Sequence, residues 1–274
     1  MTSDDDKIIT SPQNPRIRSI YHLQKKRERD RTGLITIEGA RELARALGAG
    51  VALREIYLCP EVAATGEADA IIGELRSRRI PLFTVGRAAF AKIAYREDSG
   101  GFVAVAERPP TGLDRLAGSA GALFLVVDAV EKPGNLGALL RSADGAGVTG
   151  LIIGSPAIDL FNPNAIRASL GAIFAVPVAV SKPEEAIPWL KGKGVRIIVT
   201  TPSAGTRYSD ADLTRSSAIV VGREDTGVSR AWVEAADLAV SIPMRGVIDS
   251  LNVSAAAAIL LYEALRQRDA VGYN

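Results

Sequence analysis

The second half of the chain alternates short apolar runs, rich in β-branched residues, with stretches of helical length. Such alternation is typical of a parallel sheet whose strands are joined by crossover helices. We predict strands at residues 123–128, 151–154, 175–180, 195–200, 218–222 and 238–242. Helices are predicted at residues 136–146, 164–170, 184–191, 229–235 and 255–267.

The first 108 residues read as a smaller α/β domain. Strands are predicted at residues 34–38, 56–58, 82–85 and 102–106, and helices at 16–31, 40–47 and 68–79. The run Arg108-Pro109-Pro110, followed by glycines up to Gly121, is typical of a linker. We therefore expect a domain of residues 1–108, a linker of residues 109–121 and a domain of residues 122–274.

Two residue counts exclude several kinds of chemistry. The chain has one cysteine, Cys59, and one histidine, His22. A disulfide within the chain, a Cys/His zinc site and a cysteine-ligated iron–sulfur cluster are thereby excluded. His22 lies in a basic, polar segment far from any glycine-rich turn, so a Ser-His-Asp or Cys-His mechanism is not expected. The chemistry then falls to Arg, Asn, Ser, Glu, backbone groups or a cofactor, and we expect no metal.

The lengths of the apolar stretches indicate whether the chain could cross a membrane. No apolar stretch approaches the roughly 18–20 residues that a membrane-spanning helix needs. The segment Met1–Lys7 is acidic and polar, unlike a signal peptide. We expect a soluble cytoplasmic protein with no membrane partner.

Positive charge is concentrated near the beginning of the chain. From Lys7 to Arg45 there are ten basic residues and four acidic ones. Such a block favours a phosphate-backbone partner, because neutralising phosphates releases counterions. The candidate RNA contacts in this block are Arg16, Arg18, Lys25 and Lys26. The alternative is a solvated helix face, and charge alone does not choose between the two.

Ligand sites of parallel sheets lie at the carboxyl ends of the strands. After the strand at 123–128, Asn135 falls where a helix N-cap belongs, and Arg141 projects from another face of the same helix. The plain alternative is that Asn135 caps the helix and Arg141 is a surface charge.

Two further strand ends carry unusual residues. Gly222 and Gly227 bracket an acidic turn, and glycine permits close backbone approach to a ligand. An ordinary strand-to-helix turn, with acids near the helix start, is the alternative. Ser250, Asn252 and Ser254 precede or begin the last helix and offer more hydrogen-bonding groups than one cap uses.

The common nucleotide-binding motifs are missing from the sequence. No G-x-G-x-x-G follows a predicted strand, which argues against a nicotinamide or flavin site. No G-x-x-x-x-G-K-[ST] occurs either, which argues against a nucleoside-triphosphate P-loop.

Taken in order, the three strand-end segments resemble the motifs of the SpoU (TrmH) family of RNA ribose 2′-O-methyltransferases. Asn135–Arg141 is similar to N-x-G-x-x-x-R, Gly222–Gly227 to G-x-E-x-x-G, and Ile242–Ser254 to I-P-M-x-G followed by S-L-N-V-S. Asn162-Pro163-Asn164 and residues 167–172 also match the family. Residues 11–16 and 37–39 resemble its appended L30e-like RNA-binding domain. Asp225 departs from the glycine that the family usually has there and adds a carboxylate to this turn.

The resemblance implies an α/β fold, with a C-terminal trefoil-knot (SPOUT) methyltransferase domain after a small L30e-like domain. Pattern alone predicts an unknotted doubly wound sheet, since knots are nearly absent from proteins. The resemblance also implies S-adenosylmethionine bound in the knot and a homodimer whose active site uses both chains. The residues it assigns to the cofactor are Thr200, Thr201, Gly222, Ile242, Met244 and Leu251.

The catalytic residues that the resemblance implies are Asn135, Arg141, Glu224, Ser250 and Asn252. Because a guanidinium stays protonated, we expect Arg141 to hold a phosphate and stabilise the developing alkoxide rather than to act as a base. Asn135, Ser250 and Asn252 would orient the ribose and Arg141, and Glu224 would hold Arg141 or Asn135 in place. Arg167 would contact an RNA phosphate.

Ribosomal RNA, and 23S rRNA in particular, is the substrate that the appended domain favours over transfer RNA. The alternatives are a tRNA 2′-O-methyltransferase, a non-catalytic RNA-binding protein on the same scaffold, and an unrelated NAD-binding α/β enzyme. We also expect that removal of residues 1–108 leaves a folded, cofactor-binding dimer with poor affinity for RNA.

Overall fold

The computed structural model describes residues 8–63, 65–95, 100–118, 120–130, 132–154, 158–223 and 226–272. It divides into two compact units. Unit 1 contains the described residues up to Pro109 together with Asp159–Ala175, and unit 2 contains the remainder.

The helices and strands are numbered in chain order. The helices are α1 (Pro15–His22), α2 (Lys26–Thr32), α3 (Ala40–Gly48), α4 (Thr65–Ser77), α5 (Arg87–Ile93), α6 (Pro133–Gly145), α7 (Pro163–Ala168), α8 (Ala172–Ala175), α9 (Pro183–Gly192), α10 (Arg230–Ala235) and α11 (Val253–Ala270). The strands are β1 (Leu34–Glu38), β2 (Leu53–Leu58), β3 (Leu82–Thr84), β4 (Phe102–Glu107), β5 (Leu123–Val127), β6 (Gly150–Ile153), β7 (Val178–Val180), β8 (Arg196–Thr200), β9 (Thr206–Arg207), β10 (Ser217–Val221) and β11 (Leu238–Ser241).

Unit 1 is built on a mixed four-stranded sheet in the order β1-β4-β2-β3. β4 is antiparallel to both β1 and β2, and β3 is parallel to β2. Helices α1 and α5 pack against each other, and their apolar side chains join those of the sheet in one core. Ile17, Ile20, Tyr57, Phe90 and Val103 are buried there.

The single helix predicted over residues 16–31 is wrong, because α1 ends at His22 and α2 begins at Lys26. The Arg29 side chain, which is only 2% exposed, accounts for the break. Its Nη1 donates to the Leu23 carbonyl at 2.6 Å, and its Nη2 donates to the Asp159 carboxylate. The freed carbonyl of Leu23 is thereby satisfied by a side chain instead of by helical hydrogen bonding.

The segment Asp159–Ala175 packs within unit 1, although the predicted domains placed it in the second half of the chain. Helix α7 contacts β1 and helix α8 contacts α3. Gly171 allows the close approach: its φ is +82°, and a Cβ there would lie 3.2 Å from the Cα of Glu42. The strand predicted from residue 175 starts only at Val178, because α8 extends to Ala175.

Unit 2 contains a seven-stranded sheet in the order β7-β6-β5-β10-β8-β11-β9. Its described strand pairs are all parallel, as the alternating pattern predicts. Strands β5, β6 and β10 are buried along their whole length, which explains their unbroken apolar sequences. Phe124, Val126, Ile152, Val220 and Trp232 form part of the core.

Residues 110–118, expected to belong to a linker, pack as part of unit 2. Leu113–Arg115 forms a 3₁₀ turn, and Leu116 is buried in the core of the unit. The Thr111 carbonyl accepts a hydrogen bond from the Val180 backbone N–H at 2.8 Å. The double proline therefore leads directly into ordered structure.

Candidate functional site

Three adjacent strands of unit 2 bring their carboxyl ends to one edge of the sheet. β8 lies between β10 and β11 and is parallel to both. The residues that end or follow these strands line a cavity of about 420 Å³. This volume is within the roughly 300–1,000 Å³ typical of small-molecule sites. All six predicted cofactor residues line the cavity: Thr200, Thr201, Gly222, Ile242, Met244 and Leu251.

The turn after β10 closes one side of the cavity. Arg223 and Gly227 exchange two backbone hydrogen bonds, each of 3.0 Å. A Cβ at Gly222 would lie 2.2 Å from the carbonyl carbon of Gly227, so the turn cannot close over a larger residue. Glu224 and Asp225 lie outside the described residues, and the prediction for Glu224 stays a prediction.

The cavity combines apolar walls with an unused polar atom. Ile242, Met244 and Leu251 contribute apolar side chains. The Oγ1 atom of Thr200 is buried and has no hydrogen-bond partner in the described part of the chain. Because a buried hydroxyl without a partner is unfavourable, this atom points to a polar group of a ligand. Thr201 differs, since its hydroxyl is 3.1 Å from that of Ser203.

Asn252 connects the cavity rim to helix α6. It is the N-cap of α11, where its Oδ1 accepts from the backbone N–H of Ser254 at 3.1 Å. Its Nδ2 donates to Oδ1 of Asn135 at 3.3 Å. The prediction that Asn135 is an N-cap is wrong, because α6 begins at Pro133, whose fixed φ and missing N–H suit the first helical position. The side chain of Asn135 instead accepts a hydrogen bond from Asn252.

The structure does not place Arg141 at the cavity of its own chain. Arg141 is exposed on α6, nearly two turns beyond Asn135, and is not among the residues lining the cavity. Ser250, by contrast, lines the cavity directly before Leu251. The structure therefore brings together Asn135, Ser250 and Asn252 and leaves Arg141 apart from them.

Eight lining residues were not assigned to the site from the sequence. Gly227 and Val253 belong to the motifs themselves, and the others lie within a few positions of predicted residues: Pro202, Val221, Arg223, Thr226, Asp249 and Ala256. Asp249 and Arg223 add charged side chains to a cavity that the motifs describe mainly by small and apolar residues.

The predicted RNA contacts of unit 1 are exposed, but some are engaged in ion pairs. The four from the basic block lie on α1 and around the start of α2: Arg16, Arg18, Lys25 and Lys26. Arg16 pairs with Glu55 at 2.9 Å, and Lys26 pairs with Asp30 at 2.9 Å. Arg18 and Lys25 have no ion-pair partner within the described ranges. Arg167 is half-buried on α7, also in unit 1.

Two other kinds of feature are absent from the described residues. They contain no group of three or more His, Cys, Asp or Glu residues arranged to hold a metal ion. Among their helices, none is both long enough and apolar enough to cross a membrane.

Comparison with known proteins matches both parts of the chain to family models. The SpoU rRNA Methylase family model matches residues 122–262, and the MRM3-like substrate binding domain model matches residues 14–104. The first match contains the cavity, and the second contains most of unit 1.

Full-length similarities agree with these matches. The 23S rRNA (guanosine(2553)-2′-O)-methyltransferase RlmP of Bacillus subtilis is 30% identical over 256 residues, which cover 93% of this chain and 98% of the relative. A crystal structure of an RNA 2′-O ribose methyltransferase is 40% identical, with a TM-score of 0.84, covering 96% of this chain and 99% of the other. The SpoU methyltransferase AviRb from Streptomyces viridochromogenes, solved with the cofactor AdoMet, is 30% identical, with a TM-score of 0.85, covering 94% and 100%.

Proposed function

This chain belongs to the SpoU rRNA methylase family, and we propose that it transfers the methyl group of S-adenosylmethionine to a ribose 2′-hydroxyl of 23S rRNA. It is an S-adenosylmethionine-dependent RNA 2′-O-methyltransferase, as its relatives are. The observation that carries the proposal is the convergence of four motif residues and of Thr200 and Thr201 on one cavity at the ends of β8, β10 and β11.

The residues present fit the cofactor. Ile242, Met244 and Leu251 offer apolar surface for its adenine ring, and the unpaired hydroxyl of Thr200 offers a hydrogen bond to a polar group. The tight turn at Gly222 leaves backbone rather than side chain at the cavity wall. When bound, S-adenosylmethionine supplies a methyl group on a cationic sulfur that an oxygen nucleophile can attack in line.

Arg141 acts on the RNA rather than on the cofactor. A guanidinium is too weak a base to accept the proton of the ribose hydroxyl, so we give Arg141 an electrostatic role. It neutralises the adjacent phosphate and stabilises negative charge developing on the ribose oxygen, while phosphate or water takes the proton. The hydrogen-bonded Asn135 and Asn252, with Ser250, orient the ribose. Glu224 retains its proposed role of holding Arg141 or Asn135.

A homodimer accounts for the exposure of Arg141. In the single chain Arg141 lies away from the cavity, and the loop leading to Ser250 presents Val247 and Ile248 at 98% and 67% exposure. Burying such side chains against a second copy is favourable, at about 1.5–3 kcal/mol for each. We place Arg141 at the partner's cavity, so that each active site uses both chains.

The remaining parts of the proposal concern substrate delivery and location. Unit 1 binds RNA through the exposed basic residues of α1 and α2 and through Arg167, and residues 122–274 carry the chemistry. The likeness to SpoU structures supports a trefoil knot formed by the last strands and α11. The enzyme acts in the cytoplasm.

The test is methylation of defined RNAs with isotope-labelled S-adenosylmethionine. Unmodified transcripts of 23S rRNA, 16S rRNA and tRNA are incubated separately with the protein, and modified nucleotides are mapped by nuclease digestion and mass spectrometry. We expect one 2′-O-methylated nucleotide in 23S rRNA. Incorporation of label into tRNA alone would show that the substrate is tRNA. Cofactor binding without methyl transfer to any RNA would favour a non-catalytic RNA-binding protein.

A further inference from the structure

Tyr95 is an aromatic side chain fixed at an exposed position of unit 1. Its side chain is 46% exposed, and its backbone N–H donates to the Glu38 carboxylate at 2.7 Å. Its phenol oxygen accepts a hydrogen bond from Nδ2 of Asn164 at 2.8 Å. The ring is thus restrained at both ends, and little conformational entropy remains to be lost when a ligand contacts it.

A cation completes this arrangement. The Arg167 guanidinium lies 6.0 Å from the centroid of the Tyr95 ring and donates to Oδ1 of Asn164 at 3.3 Å. Tyr95, Asn164 and Arg167, which we call the Tyr95 cluster, therefore form one connected group. Tyr95 follows α5, whereas the other two lie on α7, and all three belong to unit 1.

Further positive charge surrounds the neighbouring helix α3. Burial raises the pKa of the Glu42 carboxyl, and the nearby guanidinium groups of Arg41, Arg45 and Arg167 oppose that shift. Arg45 donates to the Leu170 carbonyl two residues beyond α7. Arg45 and Arg167 therefore place two guanidinium groups along α7, and guanidinium groups suit a phosphate ligand.

Resting on the proposed function, we propose that the Tyr95 cluster binds an unstacked nucleotide of single-stranded RNA. The exposed ring stacks on the base, Asn164 sets the orientation of the ring, and Arg167 neutralises the adjacent phosphate. Proteins read single-stranded RNA mainly by stacking splayed bases on aromatic rings and guanidinium planes. A paired RNA segment does not offer such a base, because its bases are already stacked within the duplex.

The experiment compares single-stranded and duplex RNA binding by Tyr95 variants of the full chain. Fluorescence anisotropy measures the affinity for a labelled 12-nucleotide oligouridine and for a labelled 12-base-pair RNA duplex. We expect Tyr95→Ala to weaken oligouridine binding about ten-fold and to leave duplex binding unchanged. Tyr95→Phe, which keeps the ring, is expected to lose less than Tyr95→Ala. Tyr208→Ala, a half-buried tyrosine of unit 2, serves as the matched control.

Two results would overturn the inference: unchanged oligouridine binding by Tyr95→Ala, or an equal loss for single strand and duplex. If Tyr95→Ala does not fold, Tyr95→Leu replaces it, because leucine retains apolar bulk without an aromatic face. Methylation of 23S rRNA by the wild-type protein is measured in parallel. If the wild-type protein binds oligouridine normally but does not methylate 23S rRNA, the result counts against the proposed function alone. If it methylates 23S rRNA and Tyr95→Ala binds oligouridine as well as the wild type does, the result counts against the Tyr95 cluster alone.

Discussion

Two connections in the parallel sheet of unit 2 differ in how their contacts are satisfied. The connection from β6 to β7 contains Asp159–Ala175, whose residues Ala165, Ile166, Ala172 and Ile173 are buried within unit 1. In the connection from β11 to α11, every residue from Pro243 to Ser250 is exposed.

The difference lies in how the apolar side chains of the two connections are covered. In the first connection Asp159 pairs with Arg29 and the apolar side chains named above are buried, so its buried face stabilises unit 1 while Asn164 and Arg167 remain for the proposed RNA contact. The second leads to cavity-lining residues while Val247 and Ile248 remain uncovered. A segment whose contacts are complete stabilises the fold, whereas one with apolar side chains left in water is suited to a ligand or a second chain.

The largest effect is expected at Arg141. Arg141→Ala should lower the rate of methyl transfer about 10³-fold, equivalent to about 4 kcal/mol, because charge stabilisation of the ribose oxygen is lost. Binding of S-adenosylmethionine, measured by calorimetry, should stay within two-fold, because Arg141 does not line the cavity. Arg215→Ala is the control, since Arg215 is an exposed arginine just before the amino end of β10. If Arg141→Ala lost cofactor binding but retained methyl transfer, Arg141 would belong to the cofactor site and not to the RNA site.

Breaking the first connection should cost stability instead. Arg29→Met removes the partner of Asp159 and the donor to the Leu23 carbonyl, and we expect unit 1 to lose about 3 kcal/mol. Urea unfolding measures the loss, and amide hydrogen exchange should localise it to residues 159–175. Arg54→Met, in an ion pair exposed at both ends, should change the free energy of unfolding by less than about 1 kcal/mol. Equal effects of the two variants would contradict a structural role for this connection.

Changing the second connection should affect association. The double variant Val247→Asp with Ile248→Asp should weaken the proposed homodimer by about 3 kcal/mol, because two carboxylates would replace apolar side chains at the proposed interface. Sedimentation velocity over a range of concentrations measures the shift, and Val233→Asp, another exposed valine of unit 2, is the control. An unchanged dimer would show that this loop does not contribute to the interface.

The smallest effect separates two roles of Asn252. Asn252→Ala should lower the free energy of unfolding by about 1 kcal/mol, because α11 loses its N-cap. Asn252→Ser keeps a capping oxygen but loses the amide that donates to Asn135, so stability should recover while methylation stays reduced. Thermal unfolding and the methylation assay distinguish the two. If Asn252→Ser methylated RNA at the wild-type rate, the only role of Asn252 would be to cap helix α11.

Much of unit 2 was predictable because strands β5, β6 and β10 are buried along their whole length. The predicted strands at 123–128 and 218–222 differ from β5 and β10 by one residue at one or both ends, since continuous apolar runs are unambiguous there. The six cofactor residues were predicted from the family resemblance, because four lie in local motifs and Thr200 and Thr201 end or follow a predicted strand. Their convergence depends on β8 lying between β10 and β11, an order that local sequence does not contain.

What could not be predicted depends on distant contacts. The break between α1 and α2 needs Arg29 to reach Asp159, which is 130 residues away. The N-cap expected at Asn135 was wrong because proline two positions earlier already starts α6. The Tyr95 cluster joins residues separated by 69 positions, and neither Tyr95 nor Asn164 carries a motif that points to the other.

The inclusion of Asp159–Ala175 in unit 1 limits how this protein can be rearranged. An amino-terminal module added by simple gene fusion would be removable with a single cut, as the sequence led us to expect for residues 1–108. In this protein such a cut would remove β1, which α7 contacts, and α3, which α8 contacts. The buried side chains of Ile166 and Ile173 would then be exposed to solvent. Exchanging the module for that of a relative would therefore require transplanting two stretches of the gene, and recombination at one site would yield chimaeras that misfold.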